Sequence, residues 1–127
     1  MGCRGIRGAV CVEENEPDAI LTAARRLLDS IVAANGVAYE DVASVIFTTT
    51  GDLDTAYPAR AAREMGWTEV PLLCMEEMEV KDSLPYCIRV LIHWNTNHAQ
   101  HEIRHVYLGA ARALRPDLGH TILMEEA

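Results

Sequence analysis

Side chains at the start of the chain alternate between two faces over residues 3–13, a period that predicts a β-strand. One face carries Arg4, Ile6, Gly8, Val10 and Val12. The other face carries Cys3, Gly5, Arg7, Ala9 and Cys11. The pattern therefore predicts a strand that presents one of its two arginines on each side of a sheet.

A long helix is predicted directly after this strand. Pro17 suits the first helical position, and Glu16 and Asp18 suit the positive end of the helix dipole. Asn35 and Gly36 form a typical helix end. The apolar residues form one stripe at helical spacing, consisting of Ile20, Leu21, Ala24, Leu27, Leu28, Ile31 and Val32.

Four more strands and a short helix are predicted from the remaining pattern. The run DVASVIFTTT (41–50) is a continuous apolar segment of strand length. A loop then enters a short helix, with Pro58 near its first turn and Gly66 at its end. Further strands are predicted in EVPLLCM (69–75), CIRVLIHW (87–94) and IRHVYL (103–108). The fold class is therefore α/β (α+β), with a mixed sheet of about five strands and one long and one short helix on one face.

Two helices cover only one face of such a sheet. If Cys87, Arg89, Leu91 and His93 share a face with Arg7, that face is half apolar and lacks a cover within the chain. Exposed apolar surface of this kind favours association with another subunit. We expect a homo-oligomer with Arg7 and Arg89 near its interfaces.

Length and charge limit the functional classes. A chain of 127 residues is predicted to form a single domain, 1–127. Residues 116–127 belong to a tail without a convincing period, interpreted as either ordered or a flexible lid. The net charge of −8 argues against nucleic acid or an anionic membrane as a partner. We expect a cytoplasmic protein, because there is no signal peptide, no apolar stretch of membrane-spanning length and no disulfide spacing among the four cysteines.

Arg89 is the first candidate for chemistry, because it stands within the apolar segment CIRVLIHW. A buried guanidinium needs a partner, and no acid lies within three residues of it. Arg7, surrounded by Gly and Ala, has room for a ligand, and a guanidinium suits a carboxylate or phosphate. The alternative interpretation is a structural ion pair with Glu77 or Glu79.

Other polar clusters carry weaker signals. Cys74 ends a predicted strand beside an acidic loop, which gives no reason for a lowered thiol pKa, so it is not interpreted as a nucleophile. His98, His101 and His105 have metal-ligand spacing, but His105 falls in a predicted strand, so we interpret them as a surface cluster. With no acid–base pair or nucleophile, the chain suits either a module that binds a small anion or an enzyme that needs only positioning and charge stabilisation.

Six motifs in order resemble the monofunctional chorismate mutases of the AroH type. They are RGIRGA (4–9), YPARAARE (57–64), VPLLCMEE (70–77), CIRV (87–90), IRHVYL (103–108) and LRPDL (114–118). The resemblance implies a homotrimer with a barrel-like core of sheets and active sites at the subunit interfaces. It also implies the [3,3] rearrangement of the chorismate dianion to prephenate in phenylalanine and tyrosine biosynthesis, with no cofactor and no metal.

The resemblance also implies roles for individual residues. Arg89 would stabilise the ether oxygen, Arg7 and Tyr107 would hold the side-chain carboxylate, and Glu77 would accept a hydrogen bond from the ring hydroxyl. Further substrate contacts would come from Leu73, Cys74, Met75 and Glu76, from Tyr57, Arg60 and Arg63 of the neighbouring chain, and from Arg115. The Tyr at 57 and the Arg at 60 depart from the family's usual Phe and frequent Lys at the wall of the cleft. A non-catalytic trimer that binds a small anionic metabolite is the alternative function.

Overall fold

The structure, a computed structural model, describes residues 1–114 and 121–124. Its two α-helices are α1 (Pro17–Asn35) and α2 (Ala59–Glu64). Its strands are β1 (Gly2–Cys11), β2 (Val42–Thr49), β3 (Leu72–Glu76), β4 (Cys87–Thr96), β5 (His105–Leu108) and β6 (Thr121–Met124). Arg115 and the predicted tail, apart from 121–124, lie outside the described residues, so the prediction of a flexible or ordered tail stays open.

The strands form one sheet in the order β3-β2-β4-β1-β5-β6. β4 is antiparallel to both β1 and β2, whereas β3, β5 and β6 each join a neighbour in parallel. The mixed sheet is confirmed, and it has six strands where about five were expected. The additional strand is β6, which was not predicted because its sequence shows no strand period. It is defined by its pairing with β5.

Helix α1 begins at Pro17 and ends at Gly36, which adopts a left-handed conformation (φ 72°), as predicted. Its apolar stripe packs on β1 and β5 and forms the main core together with Ile6, Val10, Ile88 and Ile92. Gly8 permits the close approach, because a Cβ built there would lie 2.9 Å from Ile31 Cδ1 and 3.0 Å from the Val106 carbonyl oxygen. This packing decides which face of β1 meets the helix and leaves Arg7 on the opposite face of the sheet.

The second face of the sheet is partly covered within the chain. A short 3₁₀ helix, Gly109–Ala113, closes one end of it and forms a second small core, made of Ala9, Cys87, Tyr107 and Ala111. Sequence reasoning placed no cover here, because a one-turn helix is too short to show a period. Two apolar side chains on β3 are not covered within the chain, since Leu73 is 54% and Met75 45% exposed.

Helix α2 follows Pro58 and ends before Gly66 (φ 96°), in agreement with the predicted short helix. It is anchored by Ala59, Ala61 and Ala62, which are buried. Neither α1 nor α2 is both long enough and apolar enough to cross a membrane, and the same holds for every helix in the described residues.

Candidate active site

Arg89 occupies the middle of the sheet, because β4 pairs with β1 on one side and β2 on the other. Its Cα lies opposite Ala9 in β1 and opposite Thr48 in β2. Thr48 in turn lies opposite Met75 in β3, and Ala9 opposite Tyr107 in β5. Five strands therefore place one row of residues across the second face, with Arg89 at its centre.

A cavity of about 390 Å³ opens on this row. Its volume is within the range of small-molecule sites. The sequence-predicted residues Arg7, Glu77, Arg89 and Tyr107 all line it, so residues far apart in the sequence meet at one place. The other lining residues are Gly8, Ile46, Thr48, Val90 and Leu91.

Arg89 and Glu77 face each other across this cavity. The Nε atom of Arg89 lies 3.5 Å from Glu77 Oε1, with the two side chains 33% and 26% exposed. The same Nε is buried and lacks a hydrogen-bond partner in the described part of the chain. The ion pair of the alternative interpretation is therefore present, but it lacks a short charge-assisted N–H···O bond, which is normally about 2.7–2.9 Å long.

Glu77 is held from β2 by two hydrogen bonds. The Thr48 hydroxyl donates to Glu77 Oε1 at 2.6 Å. The backbone N–H of Glu77 donates to the Thr49 carbonyl at 2.8 Å, which extends the pairing of β2 and β3 by one residue. Sequence reasoning missed Thr48, and only its position opposite Arg89 in an antiparallel pair could have identified it.

Arg7 reaches the cavity from β1. Its backbone N–H donates to His105 Nδ1 at 2.9 Å, which ties this part of β1 to β5. Its guanidinium makes no ion pair or hydrogen bond with another described residue. Tyr107 is 3% exposed and lies in the second small core beside Ala9. A partly exposed cation and a nearly buried phenol thus flank Arg89 on the same face.

The loop before β4 is fixed by a polar network. The carboxylate of Asp52 accepts hydrogen bonds from the Tyr86 N–H at 3.0 and 3.2 Å. The Thr50 hydroxyl accepts from the Cys87 N–H at 3.0 Å and donates to Asp52. Tyr86 has φ 49°, a left-handed conformation that is uncommon for a non-glycine residue and that this network supports. This network sets the start of the strand that carries Arg89.

The Cys74 side chain points away from Arg89. It packs against the main core and lines a second cavity of about 400 Å³ with Tyr57, Met75 and Glu76. Burial raises the pKa of its thiol, and a backbone hydrogen bond from Ala59 and the charge of Arg63 oppose that rise. The direction of this pKa agrees with the prediction that Cys74 is not an activated nucleophile, which stays a prediction.

The remaining predicted site residues lie outside the Arg89 cavity within one chain. Tyr57 is 71% exposed, and Leu73 and Met75 are also exposed. Arg60 pairs with Glu64 on α2 at 3.1 Å, where both side chains are about half exposed. Arg63 is exposed on the same short helix. These residues do not complete the Arg89 cavity in their own chain, which leaves them available to a neighbouring one.

The interpretation of the three histidines as a surface cluster is wrong for His105 and confirmed for the other two. His105 is buried in β5, whereas His98 and His101 are exposed. His98 stacks on Trp94 with ring centroids 5.2 Å apart, and its Nδ1 lies 2.7 Å from the Thr96 hydroxyl. His98 and His101 border a depression near the end of α1 that shares no residue with the Arg89 cavity.

The geometry defines a class of site. Two guanidinium groups, a carboxylate and a phenol surround a small cavity on a rigid sheet. Such a site binds a compact anion and stabilises charge that grows beside a fixed cation. The fold and cavity therefore define an α/β protein with a site that suits a compact anion.

Comparison with known proteins identifies the family. The chorismate mutase type I family matches residues 3–118. Chorismate mutase AroH of Thermus thermophilus is 55% identical over 116 residues, which cover 91% of this chain and 95% of the relative. Chorismate mutase AroH of Bacillus subtilis (strain 168) is 44% identical over 122 residues, 95% of this chain and 96% of the relative.

A solved structure agrees with both relatives. A chorismate mutase from Clostridium thermocellum superposes with a TM-score of 0.85 at 47% identity, covering 86% of this chain and 97% of that one. The chain belongs to the type I chorismate mutase family. The resemblance seen in the sequence is thereby confirmed, and the activity is that of a chorismate mutase, an isomerase.

Proposed function

We propose that the Arg89 cavity binds the chorismate dianion and promotes its unimolecular [3,3] rearrangement to prephenate, in aromatic amino acid biosynthesis. The observation that carries the proposal is the buried Arg89 Nε, a charged donor without a hydrogen-bond partner in the described residues, beside an open cavity. As the ether C–O bond breaks, negative charge grows on its oxygen. A preorganised cation next to that oxygen stabilises the transition state more than the ground state.

Substrate orientation is assigned to the groups around Arg89. Arg7, with no ionic partner among the described residues, holds the side-chain carboxylate together with Tyr107. Glu77 accepts a hydrogen bond from the ring hydroxyl. Its Oε1 is already bonded to Thr48, and a carboxylate has further acceptor sites. None of these groups needs to transfer a proton, which agrees with the lack of an acid–base pair in the sequence.

We assign a homotrimer with active sites shared between subunits. The support is the incomplete cover of the second face, where Leu73 and Met75 are exposed. Tyr57, Arg60 and Arg63 of one chain would complete the Arg89 cavity of its neighbour, with Cys74, Glu76 and Arg115 contributing to the walls. The proposed cytoplasmic location rests on the spacing of the four cysteines in the sequence, which is not that of a disulfide scaffold.

A mixing experiment tests both the site and its sharing. Arg89→Ala and Arg63→Ala chains are each assayed for loss of chorismate absorbance, then unfolded, mixed in equal amounts and refolded. If each site takes Arg89 from one chain and Arg63 from its neighbour, about a quarter of the wild-type activity should return, because random assembly pairs the two intact residues in one site out of four.

Two controls accompany the mixing experiment. Sizing of the mixed sample should show a single species of trimer mass. Arg89→Ala mixed with itself should recover no activity. If the mixture is no more active than the two parents, although it assembles normally, sharing of the site between chains is wrong.

A further inference from the structure

Glu77 and Arg89 are close enough to form an ion pair but do not form a hydrogen bond. The Arg89 Nε lies 3.5 Å from Glu77 Oε1 and has no hydrogen-bond partner, while the same Oε1 accepts from Thr48 at 2.6 Å. Thr48 lies directly opposite Arg89 on β2, and its side chain lines the same cavity. The Thr48 hydroxyl therefore bonds to the same carboxylate oxygen of Glu77 that lies nearest to the Arg89 guanidinium.

We propose that Thr48 is a positioning residue that keeps Arg89 available to the substrate by fixing the Glu77 carboxylate. Without the hydroxyl, Glu77 is free to move toward Arg89 and form a short charge-assisted pair. Such a pair satisfies the guanidinium internally and weakens its interaction with the breaking ether. This inference rests on the proposed roles of Arg89 and Glu77.

The test compares three substitutions at Thr48. Thr48→Val keeps the shape and removes the donor, and it should lower kcat about tenfold or more with a smaller change in KM. Thr48→Ser keeps the donor and should stay within about threefold of wild type. A crystal structure of Thr48→Val should show the shortest Arg89–Glu77 distance reduced to about 2.8 Å. Thr22→Val, on the exposed face of α1, is the matched control and should leave kcat unchanged.

A double-mutant cycle separates this inference from the proposed function. On a Glu77→Ala background, Thr48→Val should cause no further loss, because its effect passes through Glu77. If Glu77→Ala itself leaves kcat and KM unchanged, the proposed site is wrong. If Glu77→Ala is impaired but Thr48→Val is as active as wild type, or its effect adds in full, the role of Thr48 is wrong. Thr48→Ala is measured in the same way if Thr48→Val does not assemble.

A second, independent observation concerns two cysteines. Cys11 and Cys87 lie directly opposite each other on β1 and β4. The next pair along, Val12 and Tyr86, is joined by a 2.7 Å backbone hydrogen bond, so Cys11 and Cys87 occupy a non-hydrogen-bonded pair. At such pairs the Cα atoms are about 4.5 Å apart, inside the range that a disulfide spans. Both cysteines are reduced in this structure.

The geometry points to Cys11 and Cys87 as a site of reversible cross-strand disulfide formation. Cys11 is partly exposed, so its thiolate attacks a low-molecular-weight disulfide and releases one thiolate. Cys87, which is buried, then displaces the second thiolate from Cys11 and closes the bond, with two electrons and two protons passing to the released thiols. The contact with Cys11 and burial raise the pKa of the Cys87 thiol, which agrees with this order.

Oxidised glutathione serves as the probe. After incubation and denaturation, the wild type should lose two of its four thiols, and peptide mapping should join Cys11 to Cys87. Cys3→Ser should retain the crosslink, whereas Cys11→Ser and Cys87→Ser should lose it. Four remaining thiols, a glutathione adduct that stays on Cys11, or a crosslink to another cysteine would overturn the assignment.

Discussion

Gly8→Ala tests whether the close contact between α1 and β1 supports the fold. The new Cβ would lie 2.9 Å from Ile31 Cδ1, 3.0 Å from the Val106 carbonyl oxygen and 3.1 Å from Leu27 Cδ1. The methyl groups of Ile31 and Leu27 can rotate away, but the Val106 carbonyl is fixed by the pairing of β1 with β5. Overpacking of this kind costs about 1–3 kcal/mol of unfolding free energy.

The loss is measured by guanidinium chloride unfolding at one fixed protein concentration, since association also contributes to stability. The midpoint should fall while the slope stays unchanged. Gly2→Ala is the matched control, because it lies on the same strand with no atom within 4 Å of the added Cβ. If Gly8→Ala unfolds at the same denaturant concentration as Gly2→Ala, the packing argument is wrong.

Three further changes have defined outcomes. Arg7→Ala should raise KM and lower kcat together, with kcat/KM down by about 10–100-fold, because a charged hydrogen bond to the substrate is lost; unchanged steady-state kinetics would contradict this. Leu73→Asp, at an exposed apolar position on β3, should reduce the trimer to smaller species in analytical ultracentrifugation, and an intact trimer would refute the proposed interface. The hydrogen bond from the Ala99 N–H lowers the pKa of Glu102 in the folded state. The charged side chain therefore stabilises the fold above the ordinary Glu pKa of about 4.3. This stabilisation is lost as the pH falls through the lowered pKa of the folded state. Glu102→Gln should therefore lower Tm slightly at pH 7 and not in strong acid, whereas an equal Tm difference at both pH values would count against the assignment.

The regular elements could be predicted because their signals are local. Pro17, Asn35 and Gly36 mark the ends of α1, and the alternation along β1 separates Ile6 and Val10 from Arg7. β6 could not be predicted, because its partner β5 and not its own pattern defines it. The 3₁₀ helix over the second face was missed for a similar reason, since its packing against Ala9 is a tertiary contact.

The candidate site was partly predictable. Arg89 and Arg7 stand out as charges within apolar strands. Glu77 was named as a possible ion-pair partner and, from the resemblance, as the acceptor for the ring hydroxyl. Thr48 carries no such signal, because a threonine in a strand is ordinary until its neighbour across the sheet is known. The direction of Cys74 likewise depends on which face of β3 meets the core.

The most direct test of the account is the turnover of Arg89→Ala, measured beside its assembly and melting temperature. One preorganised donor to a developing oxyanion is worth about 3–4 kcal/mol, so kcat should fall by at least about 10²–10³-fold. Sizing and circular dichroism should show a folded trimer. Near-normal turnover, or a trimer that dissociates or melts when Arg89 is removed, would contradict the claim that this guanidinium serves the reaction and not the architecture.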